Sequence, residues 1–238
     1  MRCLVLASDY DGTLTMDGVV AGQTVAAIER LNRSGRKFIL VSGRELADLC
    51  AVFPQVGLCA RVVAENGAVV YNPATQEKHV LAEKPPAIFI ESLRRRGVAD
   101  ISVGDVIVAT WARHAQILLQ VIQESRLDLH IIFNKDAAMI LPSGLNKMTG
   151  LHCALNELNL SPHNTVAIGD AENDHAFLDH CECSVAVANA IEALKDKADY
   201  VTRGTGGSGV VEIIDKMLDN DLADLGVMPV RRRSLRPE

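Results

Sequence analysis

The sequence predicts an α/β fold, a doubly wound and mostly parallel sheet into which a small α+β domain is inserted. Three observations carry this reading. Short apolar runs, such as Cys3-Leu4-Val5-Leu6-Ala7 and Lys37-Phe38-Ile39-Leu40-Val41, alternate with segments whose apolar residues recur at helical spacing. Two such runs end directly in acid, at Asp9-Tyr10-Asp11-Gly12 and at Gly169-Asp170-Ala171-Glu172-Asn173-Asp174. From about Thr75 the elements become shorter and more polar, and the first pattern returns after Pro142. The expected organisation is therefore a core of residues 1–75 and 142–220, an inserted domain of residues 76–141, and a tail of residues 221–238.

The bulk properties exclude several function classes. A chain of 238 residues can bury a substantial core, and its net charge of −6 gives no reason to expect a nucleic-acid partner. The one basic cluster, Arg231, Arg232, Arg233 and Arg236, reads as a solvated tail. The apolar run before Asp9 is too short for a signal-peptide core or a membrane span, so no membrane partner and a cytoplasmic location are expected. Six cysteines lie mostly among apolar residues and read as reduced core thiols. Cys181 and Cys183, near His175 and His180, have poor zinc spacing without a second Cys pair.

The run 3–7 has the composition of a central strand covered on both faces. In extended chain residues i and i+2 point the same way, so Asp9 and Asp11 would leave its end on one side, with Gly12 allowing a sharp turn behind them. Two carboxylates so placed repel each other unless a divalent cation sits among them or one holds a proton. A plain strand-terminating turn uses the same residue types.

Val25, Ile28 and Leu31 recur at helical spacing between Thr24 and Gly35, and residues 37–41 form a second buried strand. Strand, helix, strand implies parallel pairing. Ser42 then stands before a helix carrying Leu46, Leu49, Cys50 and Phe53, which makes it a candidate N-cap and, by the same geometry, a candidate phosphate contact. Arg44 suits either substrate binding or a surface ion pair. Residues 61–65 read as a third strand, and Asn66-Gly67 as a hairpin turn into Val69-Val70-Tyr71.

The inserted region is expected to hold a helix over 86–96, a strand over 101–109, a long helix over 110–126 and strands over 129–133 and 138–141, with Trp111 in its core. Met148, Leu151, Leu155 and Leu158 mark the next helix. Lys147 in its first turn is unfavourable against the helix dipole, and a local rule broken in this way points to a functional site. Residues 165–168 form a buried strand ending at Asp170. Because the carboxyl ends of parallel strands share one sheet edge, Asp9, Asp11, Ser42 and Asp170 should converge there. Carboxylates so gathered favour a hard cation such as Mg²⁺. Later strands are expected at 184–187 and 199–202, with a helix near Ile191 to Lys195, a loop over 204–209 and a closing helix over 210–218.

The string Asp9-Tyr10-Asp11-Gly12-Thr13-Leu14-Thr15 resembles the first motif of the haloacid dehalogenase superfamily, Ser42-Gly43-Arg44 the second, Gly144-Leu145-Asn146-Lys147 the third, and Gly169-Asp170-Ala171-Glu172-Asn173-Asp174 the fourth. The string Glu65-Asn66-Gly67-Ala68 is similar to the segment leading into the cap of Cof-like members, and the insertion resembles their type IIB cap. The resemblance covers nearly everything to about residue 218. It implies Asp9 as nucleophile and Asp11 as general acid and base, with Gly12, Ser42, Gly43, Arg44, Lys147 and Asn173 at the substrate. It also implies Asp9, Asp11, Asp170 and Asp174 at a Mg²⁺ ion. The implied activity is hydrolysis of a small phosphorylated metabolite, such as a sugar phosphate or phosphoglycolate, through an aspartyl phosphate, by a monomer or homodimer. A phosphomutase of the same fold and a non-catalytic metal- or phosphate-binding regulator are the alternatives.

Overall fold

In the computed structural model, which describes residues 2–225, Val5–Asp9 (β1) is buried along its whole length at the centre of an eight-stranded sheet. Alternate side chains of a strand face opposite sides, so complete burial means that both faces are covered. From β1 the chain runs through helix α1 (Gly22–Arg33), β2 (Lys37–Val41), α2 (Leu46–Val52), β3 (Arg61–Ala64), β4 (Val69–Asn72) and β5 (Glu77–Val80). After the inserted unit it continues as α5 (Lys147–Glu157), β10 (Thr165–Gly169), α6 (His175–Leu178), β11 (Cys183–Ala186), α7 (Glu192–Lys195), β12 (Tyr200–Val201) and α8 (Gly207–Asn220). The inserted unit comprises α3 (Ala87–Arg95), β6 (Ser102–Val103), β7 (Val108–Trp111), α4 (Ala115–Ser125), β8 (Leu129–Asn134) and β9 (Ala137–Pro142).

The large sheet has the order β12-β11-β10-β1-β2-β3-β4-β5 and is parallel from β12 to β3. The predicted α/β, mostly parallel architecture is the one found. The chain moves outward from β1 on one side and returns to β10 on the other, so the crevice beyond β1 and β10 is the topological switch point of the sheet. The second sheet, β6-β7-β9-β8, is wholly antiparallel, and with α3 and α4 it encloses its own apolar cluster around Phe89, Leu93, Leu118 and Ile140.

Several elements differ from expectation. Glu77–Val80, expected within the insertion, pairs antiparallel with β4 at the edge of the large sheet. Residues 101–109 are two strands joined by a turn, not one, and β7 extends to Trp111, which delays the following helix to Ala115. Trp111 is 45% exposed with Arg113 over its ring, so it is not core. The supposed loop over 204–209 already contains the first turn of α8. Asp221 and Leu222, read as tail, belong to the core. The Asp221 carboxylate accepts from the Cys3 amide and from Arg36 Nη2, and Leu222 is buried. The arginine cluster 231–236 lies outside the described residues. Among the described residues no helix is long and apolar enough to cross a membrane.

Candidate active site

The strand register decides which side chains meet. Asp9 is the last residue of β1 and pairs with Val41, so Ser42 follows immediately beside it. Ser8 pairs with Ile168, so Gly169 and Asp170 follow on the other side. The loop after Asp9 turns back at once, with the amides of Leu14 and Thr15 donating to the Tyr10 carbonyl. Gly12 has φ +96°, and a Cβ there would stand 2.3 Å from Asp170 Oδ2, so only glycine lets the Asp170 carboxylate approach this loop. Thr13 Oγ1 donates to Asp170 Oδ1 at 2.8 Å and fixes its orientation.

Lys147 enters from the opposite side as the first residue of α5. Asn146 caps this helix by accepting from the amides of Met148 and Thr149, and Thr149 Oγ1 accepts from the Asn146 amide in return. The helix start sits close to the large sheet because Gly67, at φ +100°, leaves room for it, where a Cβ would lie 1.8 Å from the Asn146 carbonyl oxygen. The Lys147 ammonium is 1% exposed and donates to Asp9 Oδ1 at 2.5 Å and to Asp174 Oδ1 at 2.6 Å. The dipole penalty at its position is thus outweighed by two carboxylates. The other oxygen of Asp174 accepts from the amides of Asp170 and Ala171, locking the Gly169–Asp174 loop.

Carboxylate oxygens of Asp9, Asp170 and Asp174 lie within 4.8 Å of one another, and all three residues are buried. Lys147 alone cannot neutralise three buried carboxylates, and the other ammonium nearby, that of the exposed Lys135, reaches only Asp170, at 3.5 Å. Burial, followed by the Asp174 charge, holds the Asp9 carboxyl well above the usual range, although Lys147 opposes this. Burial and Asp174 raise Asp170 likewise, against the hydrogen bond from Thr13. Burial would lower Lys147, but Asp174 and Asp9 outweigh it and push its ammonium up. Such a cluster needs a further positive charge or a proton, and its donors are hard oxygens that suit Mg²⁺. A buried acceptor without a partner among the described residues, Asn173 Oδ1, lies in the same loop.

Asp11 does not join this cluster. Arg44 takes its carboxylate by Nε and Nη2, and also pairs with Asp48 at 2.6 Å. Asp11, also expected at the metal, here pairs with Arg44, whose guanidinium fork engages both of its carboxylate oxygens. Ser42 does not cap a helix either, since α2 begins at Leu46, and its buried hydroxyl accepts from the Arg44 amide at 3.1 Å. Gly43 lines the cleft against Met139, and Asn173 Nδ2 donates to Asn66 Oδ1 at 2.9 Å.

Between the two sheets lies a cleft of about 470 Å³, lined by Asp9, Asp11, Gly43 and Arg44 on one side and by Ile107, Asn134 and Met139 on the other. Asn134 Oδ1 is a second buried acceptor without a partner among the described residues. From the same β8–β9 turn Lys135 reaches Asp170 at 3.5 Å. Sequence reasoning missed Asn134 and Lys135 as site neighbours, because only the folded chain brings the β8–β9 turn to the loop after β10, and it missed that Thr13 holds Asp170. A second cluster, His79, Cys153 and Glu157, lies toward the other end of α5, where Arg61 already pairs with Glu157 at 2.5 Å.

Comparison with known proteins places this geometry. The family profile of haloacid dehalogenase-like hydrolases matches residues 6–99 and 99–214. The phosphoglycolate phosphatase 1 of Saccharolobus solfataricus is 31% identical over 231 residues, spanning 90% of this chain and 95% of that protein. The phosphoglycolate phosphatase of Sulfolobus acidocaldarius is 30% identical over 223 residues, spanning 92% and 98%. Among solved structures, a Thermoplasma acidophilum protein shares the fold with a TM-score of 0.80 at 18% identity, over 92% of this chain and 99% of that one. The acids at the switch point, the buried lysine facing them and the profile match over residues 6–99 and 99–214 agree: the chain belongs to the haloacid dehalogenase-like hydrolases.

Proposed function

We propose that this protein is a phosphatase that hydrolyses a small phosphate monoester, with phosphoglycolate or a sugar phosphate as the substrate class, through an aspartyl phosphate on Asp9. The observation that carries the reading is the pairing of roles in one cleft. Asp9 is buried and held by Lys147, whereas Asp11 lines the same cleft, is held by Arg44 and stays accessible. A nucleophile and a proton shuttle need these two different environments. The names of the two archaeal relatives and the modest cleft volume support a small substrate.

In this reading Asp9 Oδ attacks phosphorus and the bond to the leaving oxygen breaks. Asp11 gives that oxygen its proton, then takes a proton from the water that attacks the phosphorus of the aspartyl phosphate. The second attack releases inorganic phosphate, frees the Asp9 carboxylate and leaves Asp11 carrying a proton, as it began the cycle. Lys147 holds Asp9 in place and offsets the charge gathering on the phosphoryl oxygens, and Ser42 lies at the adjacent strand end for a further hydrogen bond. Asp9, Asp170 and Asp174 would hold Mg²⁺. Bound there, it supplies the positive charge that the carboxylate cluster lacks and offsets charge on the transferring group. The unit containing β6–β9 acts as a cap that shields the cleft from water and selects the leaving group. The buried thiols of Cys3 and Cys59 support a cytoplasmic setting.

Release of inorganic phosphate from a panel of phosphorylated metabolites, with phosphoglycolate and sugar phosphates included, tests the proposal. A phosphomutase would instead return isomerised sugar phosphate without free phosphate. Binding without either product would favour a regulator, although a regulator has no need of Asp11.

A further inference from the structure

We propose that Glu65 is a positioning residue, the core carboxylate that fastens the second sheet over the catalytic acids. Glu65 is 1% exposed, and no cationic side chain pairs with it among the described residues. Its partners are three consecutive amides of the turn between β6 and β7. Oε1 accepts from Asp105 at 2.9 Å, and Oε2 accepts from Val106 and Ile107 at 2.8 Å each. The turn is shaped to the carboxylate, since a Cβ at Gly104 would stand 2.4 Å from Glu65 Oε1. Three amides on one anion make a charge-assisted contact that needs both carboxylate oxygens.

The backbone that presents Glu65 is strained. Glu65 and Asn66 have φ of 52° and 51°, a left-handed conformation that residues with a Cβ rarely adopt and that persists only where surrounding contacts impose it. Those contacts come from the acid-holding loop. The Glu65 amide donates to the Arg44 carbonyl and the Asn66 amide to the Ser42 carbonyl, while Asn66 Oδ1 accepts from Asn173. On the other side of the latch, Ile107 forms part of the cleft wall and Ser102 of β6 donates to Glu45. One side chain thus joins the segment that aims Asp11 to the wall that faces it.

The test combines amide hydrogen exchange with kinetics on the full chain carrying Glu65→Ala or Glu65→Gln. Expected are exchange at residues 105–107 at least tenfold faster, unchanged exchange in β1 and β10, and kcat/KM reduced by on the order of 10², mostly through KM. Glu65→Gln should fall between wild type and Glu65→Ala, because an amide oxygen can still accept but its nitrogen cannot; if the alanine variant does not fold, the glutamine variant carries the test. Unchanged protection at 105–107 overturns the proposal. So does a rise in exchange that is equal in β1 and β10, or a kcat/KM within twofold of wild type while 105–107 exchange freely. The kinetic arm rests on the phosphatase reading. If wild type releases no phosphate, that reading fails, while the exchange arm still decides whether Glu65 is the latch.

Discussion

Arg44 holds the Asp11 carboxylate by two hydrogen bonds, 2.6 Å from Nε to Oδ2 and 2.8 Å from Nη2 to Oδ1. The guanidinium is itself fixed, since it lies over the Tyr10 ring and pairs with Asp48. Arg44 therefore aims Asp11 into the cleft instead of merely balancing its charge. Arg44→Ala should lower kcat by about tenfold, the loss expected from disorienting a group that is still present. Arg44→Lys should not restore it, because an ammonium cannot reproduce the fork or the stacking. Steady-state kinetics decide this, and a lysine variant with full activity would reduce Arg44 to a charge.

Lys147 touches Asp9 and Asp174 from a fully buried position. Lys147→Met keeps most of its volume but leaves buried carboxylates without their cation, so the metal-free protein should lose about 3–5 kcal/mol of stability. The penalty should shrink as pH falls. Burial and Asp174 already hold the Asp9 carboxyl above its usual range, and a protonated carboxyl needs no partner. Urea denaturation at two pH values checks both parts; a penalty that does not change with pH would show that packing, not charge, is what Lys147 supplies.

The opposite sign is expected at Asp170. Its carboxyl is raised in the folded state, first by burial and then by Asp174, so the fold binds a proton there more tightly than the unfolded chain does. Stability of the metal-free protein must therefore fall as pH rises from the ordinary carboxylate range through that raised value. Asp170→Asn removes the charge and keeps an oxygen for Thr13 Oγ1, so it should stabilise the metal-free protein at neutral pH by about 1–2 kcal/mol. Mg²⁺ should raise the melting temperature of wild type, reversibly with EDTA, and Asp170→Asn should abolish that rise. Thermal denaturation with and without Mg²⁺ reads both effects, and a destabilised variant that still responds to Mg²⁺ would remove Asp170 from the metal site.

What could be read from the sequence follows physical lines. β1, β2 and β10 are legible because central strands are unbroken apolar runs, and the acids at their ends converge by sheet topology alone. Lys147 is legible because it violates the dipole rule. β5 is not, since Glu77–Val80 is exposed throughout and carries no apolar pattern. The turn inside 101–109 is hidden because its amides are satisfied by Glu65, about 40 residues away in the chain. The Asn66–Asn173 bond spans 107 residues, and the choice of Asp11 for Arg44 over the carboxylate cluster is a matter of side-chain packing. Spacing between residues encodes none of these.

In the proposed mechanism one acid of the first loop forms a bond to phosphorus and the other moves protons, so the two should fail differently when each is made neutral. Asp9 is buried against Lys147 and has no substitute within the cluster, as Asp174 is locked by two amides and Lys147, and Asp170 by Thr13. Asp9→Asn should therefore form no phosphoenzyme with any substrate. Asp11→Asn keeps the nucleophile and loses proton transfer in both steps, so turnover of an alkyl phosphate should fall by roughly 10² to 10⁴. A leaving group such as p-nitrophenolate needs little protonation. With it, Asp11→Asn should still be phosphorylated on Asp9, then hydrolyse slowly for want of a base to activate water. Phosphoenzyme should accumulate and be trapped by rapid acid quench, with the label on Asp9 after proteolysis. Equal behaviour of the two variants, or label on any other residue, would overturn the division of roles between Asp9 and Asp11.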